Sequence, residues 1–451
     1  MALNANPTYQ ISPSSKKVAT KTNYISLFDY TSQYEPEKHE KIANIFGNRS
    51  ITGMLYMLGS ESSMASDKYI WTEEGRLHTV YKDVRRTGAG VFTKNGHVFR
   101  VGETLSLSAG AVKRRGVITA VDANTFTVAS YKSAGVDSLP LATDIIAFVD
   151  GSEFSKGTKG MQGSLSTDFT ILENKPIIQK DNFEVNGSDV AQISWVETNE
   201  GGYLWFLQDQ LDTRRRWEDR MELSMINGEV AEAGTAAEAN GTTGTEGLLE
   251  AIRDRGNTYQ GIADAVLDFD DIVKRFDAQG KIQDYTFYVD RAQSLAIDNM
   301  LGELNAGYAE GISYGIFNND KDMAVNLGFK GFTRGTYNFH KTDYKLLNDP
   351  TLLGAEPEAA KVRGILVPIG SKEVYEGAYN GNGAGDKLTT PFLQCMYRAS
   401  KVESRKYKNW LTGSVFGVNT DDEDVMREHH LSERMLNTVG ANNFMLFEGT
   451  E

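Results

Sequence analysis

The 451-residue sequence contains a single cysteine, Cys395. One cysteine excludes an internal disulfide framework and a metal cage built from several thiolates. Cys395 stands in the segment FLQCMY, and we interpret it as a small buried residue rather than a nucleophile. The chain is therefore expected to be made and used in a reducing cytoplasm.

Long apolar runs are also missing. No stretch approaches the ~18 consecutive apolar residues that a membrane-spanning helix requires. The first residues, MALNANPTYQISPSSKKVATK, are polar and lack the apolar core of a secretory signal. We expect no membrane partner.

Positive charge is scarce, because 47 Lys and Arg stand against 61 Asp and Glu and the net charge is −14. A dedicated nucleic-acid binder needs a basic surface that releases counterions, and this composition argues against one. The short runs Arg214–Arg216 and Arg114–Arg115 are interpreted as subunit-contact cations. The same charge is compatible with a container whose wall does not adhere to packed nucleic acid.

Histidine is rare as well, and the six histidines include no zinc-protease pair at i,i+4 with an intervening Glu. The adjacent His429 and His430 would point to different faces of a helix. The acidic clusters 268–271 and 421–424 lack calcium-loop spacing, and both are expected to precede helices, where acids favour the positive dipole end. The sequence predicts no catalytic residue, no cofactor and no metal.

The glycine clusters carry no Gly-Lys-Ser/Thr, so a phosphate-binding loop is not supported. The one Gly-x-Ser-x-Gly match, Gly311–Gly315, falls inside a predicted strand and is followed by a turn signal. A nucleophile elbow needs a helix directly after the serine, so we interpret the match as chance. Carboxylate pairs for glycoside hydrolysis stay open, because only distances decide them.

Glycine itself is abundant, with 44 glycines against nine prolines, which indicates many tight turns in a β-rich or mixed fold. Strand patterns begin at 66–93. Residues 91–150 predict a small barrel, with strands expected at 98–101, 104–108, 116–121, 125–130 and 144–149. A long two-stranded excursion would therefore leave at about 68, carry the barrel and return at about 190.

Residues 199–227 predict the clearest helix, roughly 40 Å long at ~1.5 Å per residue. Its expected apolar stripe runs through Leu211, Met221 and Met225, and Arg214 with Glu218 interrupts it midway. That i,i+4 pair is interpreted either as a surface salt bridge or as a contact to another chain.

A linker of low hydrophobicity at 229–246 precedes a compact α/β stretch. The expected elements are helices at 246–255, 268–278, 290–305 and about 421–437, and strands at 284–289, 311–317 and 363–369. Asp268 and Asp290 are expected as N-caps or first-turn acids. The segment Asn380–Gly385 is expected to form an exposed loop.

In this order, the parts resemble the Hong Kong 97-type major capsid proteins of tailed bacteriophages. Tyr69–Glu73 resembles the aromatic-x-Trp-x-Glu start of the family's E-loop, and Gly247–Ile252 resembles the entry to its axial domain. Asp268–Ile272 and Tyr288–Asp290 resemble the following helix and strand. The stretches Gly331–Lys341 and Leu346–Pro350 resemble capsid proteins of large phages, including crAss-like ones.

The resemblance implies an α+β fold with an N-terminal arm, an E-loop, a long spine helix, and peripheral and axial domains. A small β-barrel is inserted in the E-loop. The implied organisation is an arm at 1–65, an E-loop at 66–195, the spine helix and peripheral domain with a linker at 196–245, the axial domain at 246–400, and a return to the peripheral domain at 401–451.

The implied function is a major capsid protein that self-assembles, as pentamers and hexamers, into an icosahedral shell around double-stranded DNA without sequence-specific binding. The expected partners are a separate scaffolding protein, a portal and decoration proteins, and the expected location is the virion capsid and, during assembly, the host cytoplasm. The candidate subunit-contact residues are Trp71, Glu73, Arg214, Glu218 and Asn382.

Two other functions stay open. The inserted barrel and the glycine content also fit another phage structural protein, such as a baseplate, decoration or adhesion subunit, which would form small oligomers or fibres. A carbohydrate-acting enzyme would instead require a cleft with two carboxylates at catalytic distance.

Overall fold

A computed structural model describes residues 61–133, 135–141, 144–191, 206–280, 282, 284–308, 331–375, 387–415 and 420–449. These residues mix strands and helices along the chain, which confirms the predicted α+β class. Most of the expected arm, the strand expected at 311–317 and the loop Asn380–Gly385 lie outside the described residues.

The described strands follow one another throughout the chain. They are β1 (Glu61–Met64), β2 (Tyr69–Glu74), β3 (Val80–Arg86), β4 (Val91–Thr93), β5 (Glu103–Ala109), β6 (Val112–Val121), β7 (Thr125–Ser130), β8 (Ile145–Ser152), β9 (Phe169–Asn174), β10 (Ile177–Asn186), β11 (Asn257–Gln260), β12 (Asp284–Val289), β13 (Gly331–Arg334), β14 (Tyr337–Asp343), β15 (Val362–Pro368), β16 (Ser371–Tyr375), β17 (Lys387–Pro391), β18 (Leu393–Arg398), β19 (Lys408–Gly413), β20 (Val425–Thr438) and β21 (Met445–Glu448).

The described α-helices lie between β10 and β15. They are α1 (Gly187–Val190), α2 (Phe206–Ile226), α3 (Ala236–Ala239), α4 (Leu248–Arg255), α5 (Val266–Gln279), α6 (Arg291–Tyr308) and α7 (Lys345–Asn348). The predictions of α4, α5, α6, β12 and β15 are confirmed to within a few residues. The predicted cap of α6 is confirmed as well, because the Gln293 amide donates to Asp290 Oδ1 at 2.7 Å.

The chain forms two compact units, residues 70–172 and the remainder. In the first unit, six strands close into a barrel in the order β3-β4-β7-β6-β5-β8. Leu105 and Leu107 on β5 point inward, and Phe92, Phe99 and Phe126 fill the interior. The alternation of apolar and polar residues along these strands places one side of each in the core.

The barrel is larger than the sequence predicts, because β3 belongs to it and it spans Val80–Ser152 rather than about 91–150. The strand expected at 98–101 is wrong. The chain turns there instead, and Gly102 has a φ of +90° that a β-branched residue could not adopt without strain. The turn predicted at Asn95–Gly96 is confirmed, with Gly96 at φ +66°.

A two-stranded ribbon of β2 and β9 leads into the barrel and out of it. The Gly75 amide donates to the carbonyl oxygen of Asp168 at 2.9 Å where the two strands part. This arrangement confirms that the chain leaves near residue 68 as a paired excursion and carries the barrel. The predicted return at about 190 is wrong, because the chain re-enters the other unit at residue 173 and β10 already pairs with β20 there.

The second unit contains a five-stranded sheet built around β20. Its path is β1-β18-β20-β10, and β19 also pairs with β20. Strand β20 pairs with β10 along one edge and with β18 and β19 in succession along the other. Helix α2 contacts β10 and β20.

The helix predicted at about 421–437 is wrong, because residues 425–438 form β20. The segment VMREHHLSERMLNT is rich in residues with good helix propensity, but both edges of its backbone are paired with neighbouring strands. Tertiary pairing therefore overrides local propensity. The acidic cluster 421–424 accordingly precedes a strand, and the expected role at a helix N-terminus is wrong there.

A six-stranded sheet forms the other part of the second unit, in the order β11-β21-β15-β12-β14-β13. Phe269 and Phe276 from α5 and Ile297 from α6 pack with Phe287 and Phe339 of the sheet. A second cluster on the same strands joins Met225 and Ile226 at the end of α2 to α4 and β15. Helices α2, α4, α5 and α6 therefore share contiguous cores with the sheet.

The segment expected as a linker at 229–246 is an ordered hairpin. Val230 and Gly244 form an antiparallel bridge, and the Ala231 amide donates to Thr243 O at 3.0 Å. At the tip, the Gly234 amide donates to Glu238 Oε2 at 2.7 Å. We call residues 229–246 the acidic hairpin below.

Candidate subunit-contact surfaces

The ribbon exposes large apolar side chains. Phe169 and Ile171, which share one face of β9, are 59% and 69% exposed, and Ile70 on β2 is 54% exposed. Alternate residues of a strand point to the same side, so Phe169 and Ile171 form one apolar face. Exposed apolar surface that is contiguous typically marks an interaction site.

The opposite side of β2 carries the two candidate residues that the sequence singled out on the ribbon. Trp71 is buried, and its Nε1 donates to Glu73 Oε1 at 3.2 Å. The structure therefore brings Trp71 and Glu73 together. With its ring already buried within its own chain, Trp71 supports the ribbon, and the neighbouring Ile70 presents the larger apolar surface.

The predicted pair on helix α2 also forms within the chain. Arg214 Nε lies 3.1 Å from Glu218 Oε1, and the Arg214 guanidinium lies 5.6 Å from the centre of the Tyr407 ring. The hydrogen bond to Glu218 raises the pKa of Arg214, against the opposing effect of burial. Arg214 and Glu218 therefore form a salt bridge at the surface of their own helix. Their role in contact with another chain stays a prediction.

The apolar stripe expected along α2 is wrong at its centre. The buried positions include Thr213, Trp217, Met221 and Met225, whereas Arg214 is exposed. Trp217, Met221 and Met225 follow one another at intervals of four residues, and this spacing in the sequence indicates the buried face. Taking the Arg–Glu pair as part of the stripe shifted the predicted face by one residue.

Trp217 stacks on a polar cluster of the five-stranded sheet. Its ring lies 5.5 Å from that of His430 and 5.4 Å from that of Tyr407, and the Tyr407 hydroxyl lies 3.1 Å from His430 Nδ1. Burial lowers the pKa of His430, and the neighbouring Glu428 opposes that shift. Helix α2 is therefore seated on the sheet through aromatic rings rather than through its ion pair.

A cavity of about 400 Å³ lies beside this cluster. Its lining combines apolar side chains with charged ones, and the residues are Glu61, Arg214, Trp217, Glu218, Met221, Glu222, Met225, Cys395, Lys406, Tyr407 and Arg434. Glu61 forms an ion pair with Lys406. Cys395 is buried, and burial raises the pKa of its thiol, as expected for a small core residue.

The barrel unit has an apolar groove of about 600 Å³. Its exposed lining includes Leu77, Val80, Val98 and Leu165. Arg100 and Glu103 form an ion pair of 2.8 Å at the same place, and Arg100 also donates to Gly163 O at 3.1 Å. These bonds tie the glycine-rich segment after β8 to the barrel.

The other sequence candidates are dispersed. His429 Nε2 lies 2.7 Å from Thr412 Oγ1, and its ring stacks on Trp410 at 5.0 Å. Within the part of the chain that the structure describes, no group of three or more His, Cys, Asp or Glu side chains could hold a metal ion, and no helix is long and apolar enough to cross a membrane. Asn382 and the match Gly311–Gly315 lie outside the described residues.

No protein-family model and no curated protein matches this chain. Among solved structures, a chain from Mycobacterium phage Adephagia is similar at 9% identity and a TM-score of 0.41, covering 94% of this chain and 97% of that one. The capsid of a native GTA particle is similar at 7% identity and a TM-score of 0.38, with 93% and 96% covered.

The holo-SrpI encapsulin complex from Synechococcus elongatus PCC 7942 is similar at 10% identity and a TM-score of 0.35, with 63% of this chain and 78% of that one covered. Because all three TM-scores lie below 0.5, we base the assignment of function on this chain's own contacts.

Proposed function

We propose that this chain has the Hong Kong 97-type capsid fold and assembles with copies of itself into a closed icosahedral shell around double-stranded DNA. In this proposal, β2, β9 and the inserted barrel form the E-loop, and α2 is the spine helix. The five-stranded sheet belongs to the peripheral domain and the six-stranded sheet to the axial domain. A closer relation to crAss-like phages stays a prediction.

The apolar face of the ribbon carries the proposal. A two-stranded ribbon is at best marginally stable alone in water, and here Phe169, Ile171 and Ile70 leave much of their side chains uncovered. Covering such a face removes apolar surface from water, at about 25 cal/mol per Å². A neighbouring copy is the partner that a self-assembling shell supplies at every position.

We place the neighbour's helix α2 opposite this ribbon. Glu73 and Glu74 give the end of β2 negative charge, while Arg216 and Arg220 are exposed on α2. Complementary charge orients an interface and speeds its formation, and the buried apolar face supplies its stability. Glu73, Arg214 and Glu218 would then lie at the rim of the contact, where charges contribute little affinity.

Several modest contacts in each copy would stabilise the shell together. A standard interface buries about 1,600 Å², and linked contacts gain avidity without any one being strong. The net charge of −14 suits a wall that encloses DNA without gripping it. The proposed partners are a separate scaffolding protein, a portal and decoration proteins. Assembly would take place in the host cytoplasm, and the final location would be the virion capsid.

The test is to express the full chain, alone and with its neighbouring genes, and to image the product by negative-stain electron microscopy. We expect closed shells or flat five- and six-fold rosettes. The substitution Ile171→Lys places a charge on the apolar face and should abolish shells while leaving the circular-dichroism spectrum unchanged. Thr170→Lys adds the same charge to the other face of β9 and should leave assembly intact.

Discrete small oligomers that never close, even with a scaffold present, would contradict the proposal. If Ile171→Lys and Thr170→Lys assembled equally well, the apolar face of the ribbon would not be the surface that drives assembly.

The inserted barrel favours one alternative, a decoration, baseplate or adhesion subunit of a phage. Its exposed groove, with Leu77, Val98 and Leu165, is a feature that such a subunit could use for attachment. This alternative predicts a stable trimer or hexamer in solution, which analytical ultracentrifugation distinguishes from a shell.

A further inference from the structure

Charge is divided unequally between the two units. Residues 70–172 contain twelve Lys and Arg against ten Asp and Glu, a net charge of +2. The whole chain carries −14, so the remainder carries −16, the difference between the two values. The barrel unit is therefore a weakly cationic body within a strongly acidic protein.

Five of the ten carboxylates of the barrel unit are paired with cations of the same unit. Asp83 pairs with Lys94, Glu103 with Arg100, Asp144 with Arg85 and Asp150 with Arg115. Asp137 likewise accepts from Arg86. Lys113 and Lys132 are not among these paired cations.

Two further cations, Lys113 and Lys132, are both exposed on the barrel unit. Lys113 and Arg115 alternate along β6 and so share its outer side. Lys113 Nζ lies 5.8 Å from the centre of the Phe148 ring, and the Arg115 guanidinium lies 6.0 Å from that of Tyr131. Lys132 follows Tyr131 and is exposed.

We call Lys113, Arg115, Tyr131, Lys132, Ile146 and Phe148 the cationic face. Ile146 is 41% exposed and Tyr131 is 48% exposed, so the face includes apolar and aromatic surface. Asp150 pairs with Arg115, and the Tyr131 hydroxyl donates to Glu153, so the excess positive charge comes from Lys113 and Lys132. Among the described residues, no carboxylate forms an ion pair with Lys113 or Lys132. A sheet face of this kind fits an anionic partner that also carries apolar groups.

The acidic hairpin has the complementary character. Residues 229–246 contain four glutamates and no Lys or Arg. Glu229 and Glu232 are exposed and have no cationic partner among the described residues, and Val230 between them is 39% exposed. Burial, together with the nearby Glu246, raises the pKa of Glu250 at the base of the hairpin, which reflects the crowding of acids there.

The hairpin is also held in shape before it meets a partner. The Val230–Gly244 bridge and the bond from the Gly247 amide to Gly228 O, 2.9 Å long, close its base. Arg255 pairs with Glu246 at the same place. A preorganised surface loses little conformational freedom on docking, which favours binding.

We propose that the cationic face of the barrel docks on the acidic hairpin of a second copy of this chain. Lys113 and Lys132 would meet Glu229 and Glu232, and Ile146 and Phe148 would cover Val230. This contact rests on the proposed self-assembly, and it gives the inserted barrel a role as a clamp between copies.

A cross-linking experiment on the full chain tests the contact directly. Two singly substituted proteins, Lys113→Cys and Glu232→Cys, are mixed under assembly conditions and treated with a short bismaleimide. We expect a cross-linked pair that contains one copy of each variant. The native Cys395 is buried and should react little with the maleimide. Wild-type protein treated in the same way measures any cross-linking through Cys395. The matched control replaces the first variant by Lys156→Cys, an exposed lysine elsewhere in the same unit.

Charge reversal provides the second readout. Lys113→Glu with Lys132→Glu should raise the critical concentration for assembly on the order of tenfold, and so should Glu229→Lys with Glu232→Lys. Combining the four substitutions in one chain should restore assembly. The control pair Lys156→Glu with Lys159→Glu changes the net charge equally and should have no effect.

The outcomes separate this contact from the proposed function. Shells without the specific cross-link would overturn the contact and leave the capsid function standing. The cross-link in small oligomers that never close would support the contact and contradict the capsid function. A barrel that instead captures a separate acidic protein, or DNA, would show neither the cross-link nor the rescue by charge reversal.

Discussion

The indole of Trp217 stacks on the imidazole of His430, with ring centroids 5.5 Å apart and the planes inclined by 28°. This contact joins the longest described helix to the central strand of the five-stranded sheet. It places an apolar ring and a titratable ring in the same buried layer. The packing of α2 on the sheet therefore depends on both Trp217 and His430.

Replacing Trp217 by Ala should lower the free energy of unfolding by about 3–5 kcal/mol, because a large buried ring is lost and the space is only partly refilled. Trp217→Phe keeps a ring against His430 and should cost less. Urea unfolding followed by circular dichroism measures both. A loss below about 1 kcal/mol for Trp217→Ala would contradict this role.

The free energy of unfolding should fall as the pH drops below the pKa of a histidine in the unfolded chain, about 6.5. Burial lowers the pKa of His430 in the folded state, so the unfolded chain binds more protons in this range and acid favours it. Glu428, Asp181 and Glu218 oppose the shift, and Arg214 adds to it. Above pH 6.5 the contribution of the neutral ring is fully present.

The variant His430→Gln should therefore show a smaller drop in melting temperature between pH 7 and pH 5 than the wild type. His340→Gln, on an exposed side chain, is the control and should keep the wild-type slope. Identical slopes for His430→Gln and wild type would show that this ring does not govern the acid response.

The ion pair of Asp290 and Arg363 should contribute far more than that of Arg214 and Glu218. Arg363 and Asp290 are 3% and 2% exposed and lie 3.2 Å apart, so removing one partner leaves a buried charge. Arg363→Ala should cost about 3–5 kcal/mol. Arg214→Ala breaks an exposed pair and should cost less than about 1 kcal/mol. Similar losses in urea titrations of the two variants would contradict the difference in burial.

Gly413 should tolerate no side chain. Its φ is +117°, and a Cβ atom would lie 1.9 Å from the carbonyl oxygen of Val425 on the paired strand. Gly413→Ala should cost more than about 2 kcal/mol, through steric clash added to backbone strain. Gly335 also has a positive φ, +62°, but an added Cβ atom would meet no other atom within 4 Å. Gly335→Ala should therefore cost only about 1–2 kcal/mol of backbone strain. Thermal unfolding that ranks the two variants the other way would refute the argument.

Local pattern predicted much of the fold. The strands β5 to β8 show alternation of apolar and polar residues, and the turn after β4 has its own signal in Asn95–Gly96. Helices α4 to α6 have apolar periodicity, and Asp290 caps α6. These signals lie within a few residues of one another, so no distant partner is needed to recognise them. The excursion that carries a barrel followed from their order.

Contacts between distant segments were harder to predict. Val80–Arg86 was assigned to the excursion, although β3 pairs with β8 about 60 positions later and completes the barrel. The exposed Arg214–Glu218 pair drew attention, whereas Trp217, on the buried side of the same helix, proved to be the residue that seats it. Residue type alone does not reveal which face of a helix a sheet will cover.

The sequence by itself determined the mixed class, the order of ribbon, barrel, long helix and α/β sheet, and the acidic character of the chain. Only the tertiary structure decided that residues 425–438 form a strand, because β10, about 250 residues earlier in the chain, pairs with one edge of its backbone and β18 pairs with the other. It also decided which charges pair within the described part of the chain, since Lys113, Glu229 and Glu232 differ from their paired neighbours there only in what lies within reach. Such distances arise from packing between segments far apart in the chain, and no local pattern encodes them.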